Sequence, residues 1–230
     1  MPNIQHLMDY STFAMELKIH GSVLLPPDLV FSAEELEQLD EFQSLIPEEM
    51  VSSGDSDGGE IYVRRIITDK PGEFPTRVNQ PLSDLILKIL ENDEKSKIFR
   101  QIFDSDTQYY IRRCQMHRLM KGSHIGLHLD AESNVHNEFA VIIQLGREFE
   151  GGEFVVYPEN KEPQVYFPTY GSVLITTCKF RHEVLKVLSN ERKSLNCFFS
   201  RDNGINERDP SAKCSRPGCR WCGANNLLAN

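Results

Sequence analysis

A chain of 230 residues with 40% hydrophobic and 26% charged residues has the make-up of a soluble globular protein with one sizeable core. Its formal charge of −9 and pI near 5.3 argue against a general phosphate-binding surface and leave room only for a local basic groove. No run of about eighteen apolar residues exists to span a membrane. Residues 1–21 scatter Asp9, Glu16, Lys18 and two histidines among apolar ones, unlike a signal peptide, so the expected location is cytoplasmic.

Residues 32–46 read as a helix: Ser32 and Glu35 form a capping box, and Leu36, Leu39, Phe42 and Ile46 recur at helical spacing. Residues 51–59, rich in Ser, Asp and Gly, read as a loop, and residues 61–67 as a strand. Ser83 is expected to cap a second helix, with Leu85, Ile86, Ile89 and Leu90 on one face and residues 91–97 turned to solvent. From Tyr109 onward the texture changes to short strands, at residues 110–120, 138–145, 153–157, 172–177 and 194–199. Gly126, Gly146, Gly151, Gly152, Pro158, Pro168 and Gly171 break the chain around them. Helices first and strands later predict a mainly β sandwich or barrel buttressed by N-terminal helices. The expected organisation is a support region at 1–108 in the same domain, a core at 109–200 and a polar tail at 201–230.

The most informative stretch is Gly122-Ser-His-Ile-Gly-Leu-His128-Leu-Asp130. Side chains two apart on a strand share a face, so His128 and Asp130 can reach one metal ion. A third ligand from a distant strand completes two imidazoles and one carboxylate on one side of the ion. The other positions stay open, as in non-haem Fe(II) oxygenases. His-x-Asp alone is a weak signal, because His136 and Glu138 offer the same spacing and any single histidine reads as an ordinary core or surface residue. His124 would join the set only on a helix, which Gly122 and Gly126 oppose.

Downstream context strengthens the reading. Gly171 opens an apolar strand that leads through a short loop to His182-Glu-Val, and Arg192 follows ten residues later, with Ser194 beyond it. An arginine entering a buried strand needs an anionic partner. The distal carboxylate of 2-oxoglutarate suits a guanidinium fork, and the Ser194 hydroxyl, on the same strand face, reaches the same oxygens.

Together these residues resemble the 2-oxoglutarate/Fe(II)-dependent dioxygenase superfamily, in particular its prolyl-4-hydroxylase-like branch. The resemblance covers residues 110–200 as a Gly-containing lead-in, His-x-Asp, a Gly-Gly-Glu turn, a Gly-apolar strand, His-Glu-Val and Arg-x-Ser. It implies a double-stranded β-helix (a jelly-roll, cupin-like core) with N-terminal helices packed on it. It implies His128, Asp130 and His182 as catalytic Fe(II) ligands, and Arg192 with Ser194 as the anchor of 2-oxoglutarate. The glycines of Glu150-Gly-Gly-Glu-Phe154 become a structural turn between core strands. One departure stands out: many relatives carry a tyrosine, often a co-substrate contact, where this sequence has Leu119, flanked by His117 and Arg118.

The implied activity is hydroxylation of an unactivated C–H bond with O2, as 2-oxoglutarate is decarboxylated to succinate and CO2 and ascorbate serves as a candidate reductant. Halogenating relatives need the carboxylate ligand replaced, and Asp130 is present. The leading substrate is a protein or peptide side chain, prolyl above others. The alternatives are a small molecule, such as a free amino acid or biosynthetic intermediate, and more distantly a non-catalytic cupin-like metal-binding protein. Nucleic acid fits poorly with a charge of −9, and no membrane partner is expected. Cys114, Cys178 and Cys197 fall singly in apolar segments and read as buried free thiols. Cys214, Cys219 and Cys222 look like part of a zinc knuckle short of its fourth ligand, and a tail of adventitious thiols is the favoured reading.

Overall fold

The computed structural model describes residues 9–51 and 60–209. In chain order the elements are α1 (Ser11–His20), β1 (Ser22–Leu25), α2 (Ala33–Ser44), β2 (Glu49–Val51), β3 (Ile61–Thr68), β4 (Thr76–Arg77), α3 (Leu82–Leu90) and α4 (Asp93–Ile102). Then come β5 (Tyr110–Met120), β6 (Ile125–His128), β7 (Phe139–Gln144), β8 (Phe149–Gly151), β9 (Phe154–Tyr157), β10 (Gln164–Tyr166), β11 (Val173–Thr177), β12 (Arg181–Val184) and β13 (Val187–Ser200).

The large sheet runs β1-β11-β7-β13-β5-β3-β2, with β4 and β8 added at its margins, and the small sheet runs β10-β9-β12-β6. Every strand pairing is antiparallel. The architecture is mainly β with four helices and a jelly-roll core, as the sequence predicts. Strands drawn from residues 22–68 complete the large sheet alongside those of residues 110–200.

Alternation along the strands sorts side chains onto two faces. Leu195, Cys197 and Phe199 of β13, Cys114 and Met116 of β5, and Val141 and Ile143 of β7 join Leu36, Leu39, Ile86, Leu87, Phe99 and Ile102 of the helices in one core. Ile142, Leu119, Phe198 and Leu174 face the other way and meet Ile125, Phe154, Val156 and Val184 of the small sheet. The helices therefore cover one face of the large sheet, and the other face is left to the small sheet and the site.

The capping box at α2 forms as read: the Ser32 hydroxyl accepts from the Glu35 N–H at 3.2 Å, and the Glu35 carboxylate accepts from the Ser32 N–H at 2.8 Å. Ser83 is not a cap. It lies inside α3, fully buried, with its hydroxyl bonded to the Val78 carbonyl. Residues 91–97 do not simply face solvent either, because Asn92 caps α4 at 2.8 Å and Lys95 is buried in an ion pair with Glu35 at 3.0 Å. Helix α1 carries no strong apolar stripe, and only Leu17 of it is buried, which is why the sequence pattern passes over it. The cysteines of the tail and most of the 51–59 loop lie outside the described residues. No described helix is long and apolar enough to cross a membrane.

Candidate active site

Strands β6 and β12 pair antiparallel with His128 directly opposite His182. Cross-strand neighbours on one face stand about 5 Å apart, and here the ring centroids are 4.2 Å apart. Asp130 lies just past the end of β6, at the start of a 3₁₀ turn, so it is not itself a strand residue. Leu129 keeps an extended backbone (φ −130°, ψ 118°), which returns Asp130 to the face of His128. The carboxylate bridges the two imidazoles, with Oδ1 3.5 Å from His128 Nε2 and Oδ2 3.3 Å from His182 Nε2. Ligand atoms of all three residues lie within 4.8 Å of one another.

Both histidines turn Nδ1 to a backbone carbonyl, that of Gly126 at 2.8 Å and that of Phe180 at 3.0 Å. A carbonyl only accepts, so Nδ1 carries the proton and the Nε2 lone pair is left for a cation. Phe154 stacks on His182 at 5.1 Å between centroids and fixes its ring. Burial tends to raise the Asp130 carboxyl, but positive charge shared with the two histidines, as protons on Nε2 or as a cation in their place, outweighs it and holds the carboxyl well below the usual carboxylate range. All three residues are buried, at 3–7% exposure. Two neutral imidazoles and a carboxylate on one side of a point suit a divalent iron with open positions opposite.

Among the described residues no other such cluster of His, Cys, Asp or Glu occurs. The His136/Glu138 decoy comes apart: His136 leans toward Glu207 at 3.4 Å, and Glu138 pairs with Arg201 at 2.8 Å. His124 precedes a strand, not a helix, and stays outside the cluster.

Behind the triad, one face of β13 carries Arg192, Ser194, Asn196 and Phe198, and of these Arg192, Asn196 and Phe198 line the cavity. Arg192 is 1% exposed, and the one hydrogen bond of its guanidinium among the described residues runs from Nη1 to Ser194 Oγ at 3.3 Å. Its Nε and Nη2 are buried with no acceptor among the described residues. Burial pushes its pKa down to about 10. A fixed cation with two orphaned donors, opening onto the same cavity as the triad, matches the carboxylate of a small anionic co-substrate. The cavity is narrow, about 40 Å³.

The Gly151-Gly152 turn explains itself in this setting. Both residues have positive φ (72° and 68°). A Cβ on Gly151 would sit 2.2 Å from the Lys186 carbonyl oxygen, and one on Gly152 would sit 2.8 Å from Arg192 Cδ. The turn must be glycine for the Arg192 stem to pass beneath it.

Leu119, in place of the expected tyrosine, is fully buried beside Arg192 in the register of β5 and β13 and belongs to the inner core. Arg118 points the other way, paired to Glu48 and Glu191 and stacked over Tyr62. His117 does line the cavity, directly across from Ser194. Sequence reasoning left Asn196 out. Its Nδ2 donates to the Ser194 carbonyl at 3.0 Å, and spacing along β13 was the signal that would have found it.

A jelly roll with a His-Asp-His cluster at one end of its cavity and a buried arginine behind it defines the class of non-haem iron oxygenases. The model of the 2OG-Fe(II) oxygenase superfamily matches residues 114–200. A crystal structure of an oxidoreductase of the 2OG-Fe(II) oxygenase family from Burkholderia pseudomallei is 46% identical, covering 89% of this chain and 96% of that one, with a TM-score of 0.85. The chain belongs to the 2OG-Fe(II) oxygenase superfamily and is an enzyme of that family. The fold is shared more distantly with a prolyl-4-hydroxylase of Pseudomonas putida (16% identity, 84% and 99% covered, TM-score 0.58). It is shared too with the non-haem alpha-ketoglutarate-dependent epimerase SnoN of nogalamycin biosynthesis (12% identity, 90% and 92% covered, TM-score 0.64). No curated protein matches the chain.

Proposed function

We propose that this oxygenase hydroxylates an unactivated C–H bond of a protein or peptide side chain, prolyl above others. In this reading His128, Asp130 and His182 hold Fe(II), and Arg192 with Ser194 anchors the distal carboxylate of 2-oxoglutarate. When bound, iron with 2-oxoglutarate and O2 supplies the oxidant, and succinate and CO2 are released. The chain's own residues do the rest. Phe154 and the two backbone carbonyls hold the imidazoles in one tautomer and orientation, and Ile142, Val184 and Phe198 keep water from the cavity.

The observation that carries the co-substrate half is the buried Arg192 guanidinium with two donors left over. For the substrate half, the support is the fold shared with a prolyl-4-hydroxylase and a cavity narrow enough to take only a side-chain-sized part of a polypeptide. The same narrowness favours a second reading, a free small molecule such as an amino acid or a biosynthetic intermediate.

A succinate-release screen with Fe(II), 2-oxoglutarate and ascorbate separates the two. Prolyl peptides should raise turnover above the substrate-free rate. Stimulation by free amino acids alone would favour the small molecule, and the absence of succinate formation dependent on both iron and 2-oxoglutarate would refute the activity itself.

A further inference from the structure

We propose that Arg113 is the substrate-anchoring residue of this site and that it selects a substrate bearing a carboxylate close to the carbon that reacts. The inference rests on the oxygenase reading above.

Arg113 lies on β5, directly across from Phe198 in the register of β5 and β13. Its guanidinium carbon stands 3.9 Å from the centroid of the Phe198 ring. Phe198 is itself a wall of the cavity that holds His128, Asp130 and His182. Stacking of this kind fixes the plane of a guanidinium and leaves its edge, where the N–H donors are, free to bind. Arg113 Nε is buried and makes no hydrogen bond within the described residues.

The strand neighbours of Arg113 behave differently. Arg112 holds Asp69 at 3.2 Å and Asp202 at 2.8 Å, and Arg118 holds Glu48 and Glu191. No described carboxylate forms an ion pair with Arg113, although the chain carries 34 acids against 25 Lys and Arg. A half-buried guanidinium without a counter-ion in an acidic protein costs free energy unless a ligand supplies the anion.

That anion is not the distal carboxylate of 2-oxoglutarate. Arg192 and Phe198 are six residues apart on one regular stretch of β13, which sets their backbones roughly 20 Å apart at 3.3 Å per residue. A five-carbon diacid gripped at Arg192 does not span that distance. Phe198 lines the cavity of the triad and Arg113 stacks on that ring, so an anion at Arg113 sits beside the Phe198 wall and belongs to the molecule being oxidised. A guanidinium fork grips a carboxylate through two parallel hydrogen bonds, which places the attached carbons as well as attracting the charge. The carboxylate has two sources: the free α-carboxylate of an amino acid, or an Asp or Glu side chain next to the target residue in a peptide.

The test uses the full chain loaded with Zn(II), which holds the metal site without turnover, and with 2-oxoglutarate. The probes are L-proline against L-prolinamide for the first source, and N-acetyl-Pro-Asp-amide against N-acetyl-Pro-Asn-amide for the second. The readout is the side-chain Nε–H resonance of Arg113, assigned by its loss in Arg113→Lys. An acid of one pair should shift it saturably while the matching amide does not, and the responding pair names the source. With the iron enzyme, Arg113→Gln should lower kcat/KM for that acid at least tenfold, Arg113→Lys should restore part of it, and neither should move the Kd of 2-oxoglutarate. Equal response to acid and amide, or no response to either acid, overturns the proposal. So does a weakened 2-oxoglutarate Kd in Arg113→Gln, which would assign the guanidinium to the co-substrate. If the wild type fails to bind 2-oxoglutarate, it is the oxygenase reading that falls, and the inference with it.

Discussion

Replacing Arg192 by methionine sets two effects of one charge against each other. In the protein alone the guanidinium is buried with a single serine hydrogen bond among the described residues, and burial holds its pKa at about 10, more than two pH units below the ordinary arginine value. At about 1.4 kcal/mol per pH unit, keeping that charge inside costs about 3 kcal/mol. Because the folded value is depressed, the cost is fully present below about pH 10 and disappears only as pH rises beyond it toward the ordinary arginine value. Methionine fills the same channel with an apolar chain, so Arg192→Met should be no less stable than the wild type and up to about 3 kcal/mol more stable. For a chain of this length that is a rise in Tm of up to roughly 10 °C. With 2-oxoglutarate the order reverses. Added at a hundred times its wild-type Kd, it stabilises the Zn(II)-loaded wild type by about 2.7 kcal/mol. Losing one partner of a buried charge pair costs about 2–5 kcal/mol, raising Kd by roughly 30-fold or more, so the variant gains less than about 1 kcal/mol from the same addition. Thermal unfolding with and without 2-oxoglutarate measures both. A variant that is destabilised by itself by more than about 1 kcal/mol, yet stabilised by 2-oxoglutarate as fully as the wild type, would refute the reasoning.

Asp130→Ala should remove the bound iron, measured by metal analysis, and reduce succinate formation to background, while far-UV circular dichroism and the cooperative melt persist because the residue lies outside both apolar cores. Gly152→Ala forces a Cβ to 2.8 Å from Arg192 Cδ at a φ of +68°. The left-handed backbone should cost about 1–2 kcal/mol, and the displaced stem should weaken 2-oxoglutarate binding at least tenfold by isothermal titration. Ser32→Ala removes the hydroxyl of the α2 capping box and should cost about 1 kcal/mol in urea unfolding, with kcat/KM unchanged, since the cap stands on the helix face of the large sheet.

How much of this was legible in the sequence depends on how local the cause is. The cap of α2 and the 110–120 strand were readable because a box of four residues or a run of alternating side chains determines them. The triad was readable for a different reason: His128 and Asp130 are two apart, and His182 needed only to follow a glycine-led apolar strand that returns to them. Ser83 was misread because a serine ahead of an apolar run looks the same whether it caps a helix or sits one turn inside it, bonded back to Val78. Asn92 was overlooked as the start of α4 because α4 is predominantly polar, with Lys95 buried only through its tertiary pairing with Glu35. Strands β8, β10 and β12 are three or four residues long, too short for period-two alternation to stand out, and long-range pairing fixes them. The unpaired edge of Arg113 was invisible for the same reason, because a missing partner is a property of the folded surroundings and not of the sequence.

The two faces of the large sheet divide stability from chemistry. On the helix face β13 contributes Leu195, Cys197 and Phe199 to a continuous apolar core, and the helices need nothing more specific than that. On the opposite face the same strand carries Arg192, Ser194 and Asn196, three polar side chains in succession where a sandwich of this size would otherwise place aliphatic ones. Asn196 is bonded to Ser194, and Ser194 to Arg192, so the row is internally connected up to the guanidinium and stops there, with Nε and Nη2 open. A network satisfied everywhere except at its cationic end is costly by itself and becomes favourable only when an anion completes it. The helix-face core supplies the stability that lets the strand keep that incomplete row in place. Binding of the co-substrate should therefore tighten β13 along its length, and amide exchange at Leu195 and Cys197 should slow when 2-oxoglutarate is added, although neither residue touches the cavity.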